Sequence, residues 1–550
     1  MTDEHSESKP WREYGAYLIP TLPILIYWFS WLLRRNYWFT ADPAALYFFD
    51  SLAIFAGKTY VYVDHPGTPV NIIGTMLLGL TYPFFDGREA LIRYYIAEPE
   101  TFFILANLFL LTANLLTVAI FFRTVVSTLK QDKMLAGIAL SLMYFAIHPS
   151  SFSSLTYWTH NSFNLIFGTL WLLWLYNELQ SKNELTRKKI ILLGVTVGVI
   201  VTTQLYLIPW LAGGVITIFM YTLRKAKAFS QAIIDSLIML GSGLMGILLM
   251  LVPVYREVPR LLAWLSRLIG RDGLYGAGEP NIYSPGLIAA SLRYWWQNIP
   301  LVMLALTIIL LVFGFIAWRI RSQAIRRLSA GDFALAVGLL FQTLILILVL
   351  SKMFYRIRYV LSLAAILPVL FLLALKLLEQ VNWRGAGLKR AMYAGLIISC
   401  LFFMSQEIAA QQRNKTVERE SAVAHSQVVS RLAKLKGVPE DEVVTVYAFG
   451  TPFKCAGLLM ANNVTRAFDS EVREQCPNQH AIYDFGFEVE LNLLYPIASI
   501  EEINWDLVVW PGNGSNLPEY LESVGGQTIP TSWHIRRGKW FYIHSEMLLE

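Results

Sequence analysis

Long apolar runs separated by short polar links dominate this chain. They fall near residues 14–33, 101–122, 134–148, 162–178, 190–204, 206–222, 232–253, 300–318, 333–350, 358–375 and 391–405, about eleven in all. A run of roughly 20 apolar residues, rising 1.5 Å per residue, crosses a hydrocarbon core about 30 Å thick. The pattern therefore predicts a polytopic α-helical membrane protein with about eleven transmembrane helices. No small-x-small cleavage site follows the run at 14–33, which predicts an uncleaved first span rather than a signal peptide. Two shorter runs, at 44–57 and 70–85, lie in the long first loop (34–100). The first has helical apolar spacing ending at Gly57, and the second is short for a span and carries two glycines, so both predict in-plane or re-entrant helices. From about Gln411 the pattern changes to alternating short strands (443–449, 481–485, 506–510, 540–544) and helices (452–461, 517–524). That alternation predicts a small soluble α/β domain over 406–550, following a membrane domain over 1–405.

Composition supports the membrane reading. The chain is 55% hydrophobic and 15% charged, against roughly 25% charged in a soluble protein, and nothing in it points to nucleic acid. Charge placement adds topology. The links at 123–133, 187–189, 224–227, 319–327 and 384–390 are rich in Lys and Arg, whereas the alternate links at 149–161 and 204–206 have none. The positive-inside rule then places the N-terminus in the cytoplasm, and an odd span count places 406–550 on the far side. The outer link 351–357 breaks the pattern, with Lys352, Arg356 and the adjoining Arg358. Either these cations snorkel at helix ends or they bind an anionic headgroup. Four arginines at 256, 260, 267 and 271 fit a helix on an anionic surface, followed by a mobile segment near 272–285, and a plain surface loop fits as well. Of the three cysteines, Cys400 reads as an inert core residue; Cys455 and Cys476 either pair in an oxidising compartment or remain free buried thiols.

The candidate chemistry lies mostly in the first loop. Carboxylates at a membrane boundary are costly to desolvate, yet Asp42, Asp50 and Asp64 all occur there. Asp42 precedes Pro43 and suits a helix N-cap with proline at the first helical position. Asp50, roughly two turns on, suits the polar edge of an amphipathic helix. In Asp64-His65-Pro66-Gly67-Thr68-Pro69 two prolines and a glycine fix a turn that holds an acid and an imidazole in place.

Four segments share a wider pattern: Ala41-Asp42-Pro43, Leu52 to Lys58, Asp64-His65-Pro66-Gly67, and Arg358-Tyr359-Val360-Leu361 with Pro368. Together they resemble the type-C fold (GT-C) membrane glycosyltransferases that use polyprenyl-phosphate-linked sugars, in the branch of protein O-mannosyltransferases and lipid A aminoarabinose transferases. The organisation matches over about 14–405, with two departures: Pro43 stands where the family has a second acid, and Gly67 where it has a second proline. Trp295-Trp296 is followed by Gln297, so the Trp-Trp-Asp signature of oligosaccharyltransferases is missing.

The resemblance implies inverting transfer of a sugar from a polyprenyl-phosphate donor to a hydroxyl on a lipid, glycan or protein acceptor. It implies work at the non-cytoplasmic face of a bacterial inner membrane, among membrane lipids. Asp42 and Asp64 would be the catalytic carboxylates and the ligands of any divalent ion, Mg or Mn. His65, Lys352, Arg356 and Arg358 would take the donor phosphate. Asp50, His160, Asn161 and Tyr359 would line the pocket, although a lone histidine at a helix start is more often structural. A transporter or flippase of a lipid-linked precursor is the main alternative; it has no need of Asp42 and Asp64, and no inverted repeat is visible. A scaffold that binds through its C-terminal domain is the other.

Overall fold

Backbone groups inside a bilayer have no water to bond, so apolar runs satisfy them within helices. The computed structural model shows this outcome for every apolar run named above. It describes residues 10–32, 41–60, 67–148, 151–152, 154–181, 184–226, 228–271, 278–281, 285–320, 329–353, 357–380, 386–448, 453–482, 506–511, 534–537 and 540–544. In chain order the helices are α1 (Pro10–Leu32), α2 (Ala41–Phe55), α3 (Thr68–Thr81), α4 (Arg88–Ala97), α5 (Pro99–Thr128) and α6 (Lys133–Ala146). They continue with α7 (His160–Gln180), α8 (Arg187–Val201), α9 (Ile208–Ala226), α10 (Phe229–Leu251), α11 (Val258–Gly270) and α12 (Pro285–Asn298). Next come α13 (Pro300–Ile320), α14 (Ala330–Met353), α15 (Leu361–Gln380) and α16 (Ala386–Lys436). Among the described residues, seven helical stretches are long and apolar enough to cross a membrane. They are α5, α9 with the turn before it, the stretch 229–270 that holds α10 and α11, α13, α14, α15 with its leading turn, and 389–410 of α16. The other expected spans are α1, with two internal prolines, α7, and the shorter α6 and α8.

Packing divides the chain into two units. The first comprises 1–31, 63–70 and 107–407; the second comprises 32–62, 71–106 and 408–550. The centre of the first unit is α15, whose side chains from Leu361 to Leu375 are all buried, against α6, α7, α13 and α14. A helix apolar on every side is what a bundle can surround completely.

Elsewhere in this unit, small residues set the spacing. Gly194 and Gly198 of α8 face Ser242, Gly243 and Gly246 of α10, and a Cβ at Gly198 would run into the Gly243 carbonyl oxygen. Close backbone approach through small residues is how helices associate without a hydrophobic driving force. Gly198→Leu is expected to push α8 off α10 and cost about 1–3 kcal/mol or more. A lowered thermal midpoint in a fixed detergent checks this, and an unchanged midpoint would refute it.

One end of the first unit is tied by buried charge. Asp332 of α14 is fully buried; its Oδ1 accepts from Lys376 Nζ of α15 at 2.7 Å and from Gln180 Nε2 of α7 at 2.8 Å. Its Oδ2 accepts from Gln380 Nε2 at 3.0 Å, and Lys376 also donates to Gln180 Oε1 at 2.6 Å. Nearby, Glu379 accepts the backbone N–H groups of Lys130 and Gln131, both at 3.1 Å. Three long helices and the α5–α6 turn are thus fastened at this end.

The second unit holds α2 to α4, the start of α5 and the far part of α16. It also contains β1 (Thr445–Ala448), α17 (Lys454–Thr465), α18 (Asp469–Gln475), β2 (Gln479–Ile482), β3 (Leu507–Pro511), β4 (His534–Arg537) and β5 (Trp540–His544). The strands form one sheet in the order β2-β1-β3-β5-β4. β1 is parallel to β2 and β3, with Val446 opposite His480 and Val508; β5 is antiparallel to β3 and β4. Cys455 and Cys476 are bonded, joining α17 to the end of α18.

Four observations adjust the sequence reading. The run at 391–405 is only the early part of α16, which is 51 residues long and ends at Lys436, where Lys436 pairs with Asp506 beside β3. The continuation has no long apolar run, because charged and amide side chains interrupt it throughout. β4 and α18 also went unread. The expected helix at 517–524 lies outside the described residues, and the 254–299 loop contains α11 and α12, with 272–277 and 282–284 outside the description.

Candidate functional site

Helix α2 starts at Ala41, so Asp42 lies inside its first turn rather than capping it. The side chain of Asp42 is outside the described residues, as are Asp64, His65 and Arg356. Asp50 is described, and it is not the polar edge of a half-exposed helix. Every residue of α2 from Pro43 to Ala53 is buried, because α2 packs on α17 and on the start of α5, with Phe48 against Phe102 at 4.8 Å and Phe49 against Phe468 at 5.9 Å. Gly74 of α3 lets that helix close on Ser51. This brings Asn71 Nδ2 to 3.3 Å from Asp50 Oδ2, while Asp50 Oδ1 meets no partner among the described residues.

Burial holds the Asp50 carboxyl well above the usual carboxylate range, and the hydrogen bond from Asn71 opposes this only in part. The fold therefore favours the neutral acid. The unfolded chain gives up this proton near pH 4, so the residue's contribution is complete below that pH and is lost as pH rises toward the folded-state value. Asp50→Asn keeps a neutral polar group and removes the titration. Melting curves between about pH 4 and 8 are expected to show the variant gaining on wild type as pH rises; parallel curves would contradict the assignment.

The other described candidates belong to the first unit, where three links converge at the end of the bundle opposite Asp332. The α6–α7 link contributes His148, whose Nε2 lies 2.9 Å from the Ile357 carbonyl oxygen. The α8–α9 turn contributes Thr203, Gln204 and Tyr206, and the turn before α15 (Ile357–Val360) contributes Arg358 and Tyr359. Asn164 of α7 donates from Nδ2 to Gln204 Oε1 at 2.5 Å and accepts from Thr203 Oγ1. Tyr206 donates its hydroxyl to the same Gln204 oxygen, and its ring meets the Tyr359 ring edge-on at 5.7 Å. Arg358 Nη2 donates to the Tyr359 hydroxyl at 3.0 Å, and the guanidinium lies 5.0 Å from the centre of that ring.

Lys352, at the end of α14, is buried and donates to the Ile269 carbonyl at 2.7 Å, at the C-terminal end of α11. A helix C-terminus is the favourable place for a cation. His160 is buried in the first turn of α7, one turn before Asn164 and on the same face. Asn161, beside it, is only partly buried. His148, Asn164, Thr203 and Gln204 are the residues that sequence reading missed. The one available signal is polar side chains at the ends of apolar runs, beside links without Lys or Arg.

This arrangement can recognise an anion beside a polar, oxygen-bearing group. Guanidinium and ammonium groups match phosphate, and amides and phenols match hydroxyls. Among the described residues no three His, Cys, Asp or Glu side chains converge to hold a metal ion. A comparison with known protein families finds none that matches this chain, and no curated protein is significantly similar to it.

Proposed function

We propose that this protein is a glycosyltransferase of the type-C fold, moving a sugar from a polyprenyl-phosphate donor to an acceptor hydroxyl. In this reading about eleven spans cross a bacterial inner membrane with the N-terminus in the cytoplasm. The Arg358 turn and a C-terminal α/β domain lie on the opposite side. The observation that carries the reading is the guanidinium of Arg358, fixed by Tyr359 within the Arg-Tyr-x-Leu segment that resembles the family.

Transfer requires a base for the acceptor proton, charge to neutralise the leaving phosphate, and a held donor. Asp42 takes the proton from the acceptor hydroxyl as its oxygen attacks the anomeric carbon. The carbon–phosphate oxygen bond breaks on the opposite side, which inverts the centre. His65, Lys352, Arg356 and Arg358 receive the departing polyprenyl phosphate. Asp64 holds sugar hydroxyls, and with Asp42 it is the pair that would hold a divalent ion, whose chemistry there is charge neutralisation. Asp50, His160, Asn161 and Tyr359 shape the surroundings.

The test is movement of label from radiolabelled polyprenyl-phosphate sugars into extracted membrane acceptors by the purified full chain. Labelled acceptor supports the enzyme. Tight donor binding without transfer supports a transporter of lipid-linked precursors instead.

A further inference from the structure

The end of α3 carries an apolar face that the described residues leave open. Among them, the two most exposed large apolar side chains are Phe84 at 83% and Leu80 at 72%. Met76, at 63%, completes a row spaced four residues apart, running from one side of α3 into the Tyr82–Phe84 turn. The other side of α3 is packed. Asn71 donates to Asp50, Thr75 Oγ1 donates to the Ser51 carbonyl at 3.0 Å, and Gly74 closes on Ser51 and Phe102. The turn is braced as well. The Tyr82 ring meets Phe55 at 5.7 Å, Tyr95 donates its hydroxyl to Thr81 Oγ1 at 2.9 Å, and Phe85 lies 5.1 Å from Tyr94. A fixed hairpin of α3 and α4 thus holds the row outward.

Three observations identify lipid as what covers it. Phe102, against which Gly74 closes, lies in the first turn of α5, a helix long and apolar enough to cross a membrane. Helix α3 is therefore fastened to the end of a span. With 14 residues, α3 itself reaches only about 21 Å at 1.5 Å per residue, too short to cross the hydrocarbon core. Finally, the chain turns polar at once: Asp86, two residues past Phe84, is exposed, and α4 presents Arg88, Glu89 and Arg93 to solvent. An apolar tip over a charged rim suits a segment that dips into the acyl boundary and keeps its charges among headgroups and water. In water the same row would be an open patch of the kind that marks an interaction site.

We propose that Met76, Leu80 and Phe84 form a wedge inserted among the acyl chains of one membrane leaflet. Through the bonds of α3 to Asp50 and Ser51, the wedge anchors α2 at the lipid surface. The partner is the bilayer itself, with its headgroups against the rim from Asp86 to Arg93. The proposal needs a membrane and not sugar transfer, so it stands or falls separately from the activity.

The experiment places a nitrobenzoxadiazole fluorophore on Leu80→Cys, Phe84→Cys or Arg93→Cys of the full-length protein. The background is Cys400→Ala, which removes the one free cysteine among the described residues. Each protein sits in nanodiscs of phosphatidylcholine and phosphatidylglycerol. Nitroxide on the acyl chains is expected to quench the labels at 80 and 84 at least about threefold more than the label at 93. Aqueous iodide is expected to show the reverse order. Unmodified wild type supplies a second measurement that no substitution can disturb. A phospholipid with a photoreactive diazirine in its acyl chain is expected to mark residues 76–84 and to leave 88–97 unmarked.

Two results overturn the proposal. Labels at 80 and 84 that iodide quenches as strongly as the label at 93 put the row in water. Labels that neither quencher reaches, with no diazirine adduct at 76–84 in wild type, assign the face to a second copy of this chain.

Discussion

Lys376→Met is expected to destabilise the protein by about 3–5 kcal/mol, the usual effect of removing one partner of a buried ion pair. The size follows from what is left behind. Asp332 is fully buried and takes hydrogen bonds from Lys376, Gln180 and Gln380. Without Lys376 it keeps two amide donors and loses the only cation paired with it among the described residues. An isolated buried carboxylate is among the most expensive groups a protein can hold. The helices α7, α14 and α15 meet at this point, so the loss falls on the packing around α15. Asp332→Leu combined with Lys376→Met removes both charges and is expected to recover much of the loss, since a buried pair contributes less than breaking it costs. Thermal midpoints of the two single variants and the double variant in one detergent make the comparison. A double variant as unstable as the sum of the singles would show that the pair is not coupled.

Asp42→Asn is expected to lower sugar transfer by about 10²- to 10⁴-fold, the range that general acid–base catalysis contributes. The substitution separates chemistry from structure. Asp42 lies in the first turn of α2, where a negative charge is favoured by about 0.3–1 kcal/mol. Asparagine keeps the size and polarity of the side chain and gives up only that small charge effect, so Asp42→Asn is expected to melt close to wild type and to bind donor normally. Only the base is removed. An equal fall in stability and transfer would assign Asp42 to the helix rather than to the reaction.

Much of the fold was legible because one force dominated each segment. The apolar runs at 333–350 and 358–375 became α14 and α15, since length and hydropathy allow a long apolar stretch little else. Strands at 445–448 and 507–511 followed from short β-rich segments bounded by turns. The remainder depended on partners distant in the chain. Asp332 and Lys376 are 44 residues apart, each a lone charge beside an apolar run, and no local pattern announces that they meet. Gln204 reads as an ordinary link residue until Asn164, 40 positions earlier, is found against it. Asp50 looked solvated because helical spacing gives the face of a residue but not what covers that face; α17, far along the chain, supplies the cover for α2. Cys455 and Cys476 could have been paired or free on sequence alone, and the packing of α17 beside α18 decides it.

The central claim is sugar transfer from a polyprenyl-phosphate donor, and one measurement tests it most directly. Full-length wild type and Asp42→Asn are incubated with radiolabelled polyprenyl-phosphate sugars and extracted membrane acceptors, with donor binding followed in parallel. The account predicts labelled acceptor from wild type, at least a hundredfold less from the variant, and equal donor binding by both. Equal transfer by the two proteins would contradict the role of Asp42. Firm donor binding with no transfer by wild type from any donor would contradict the enzyme itself.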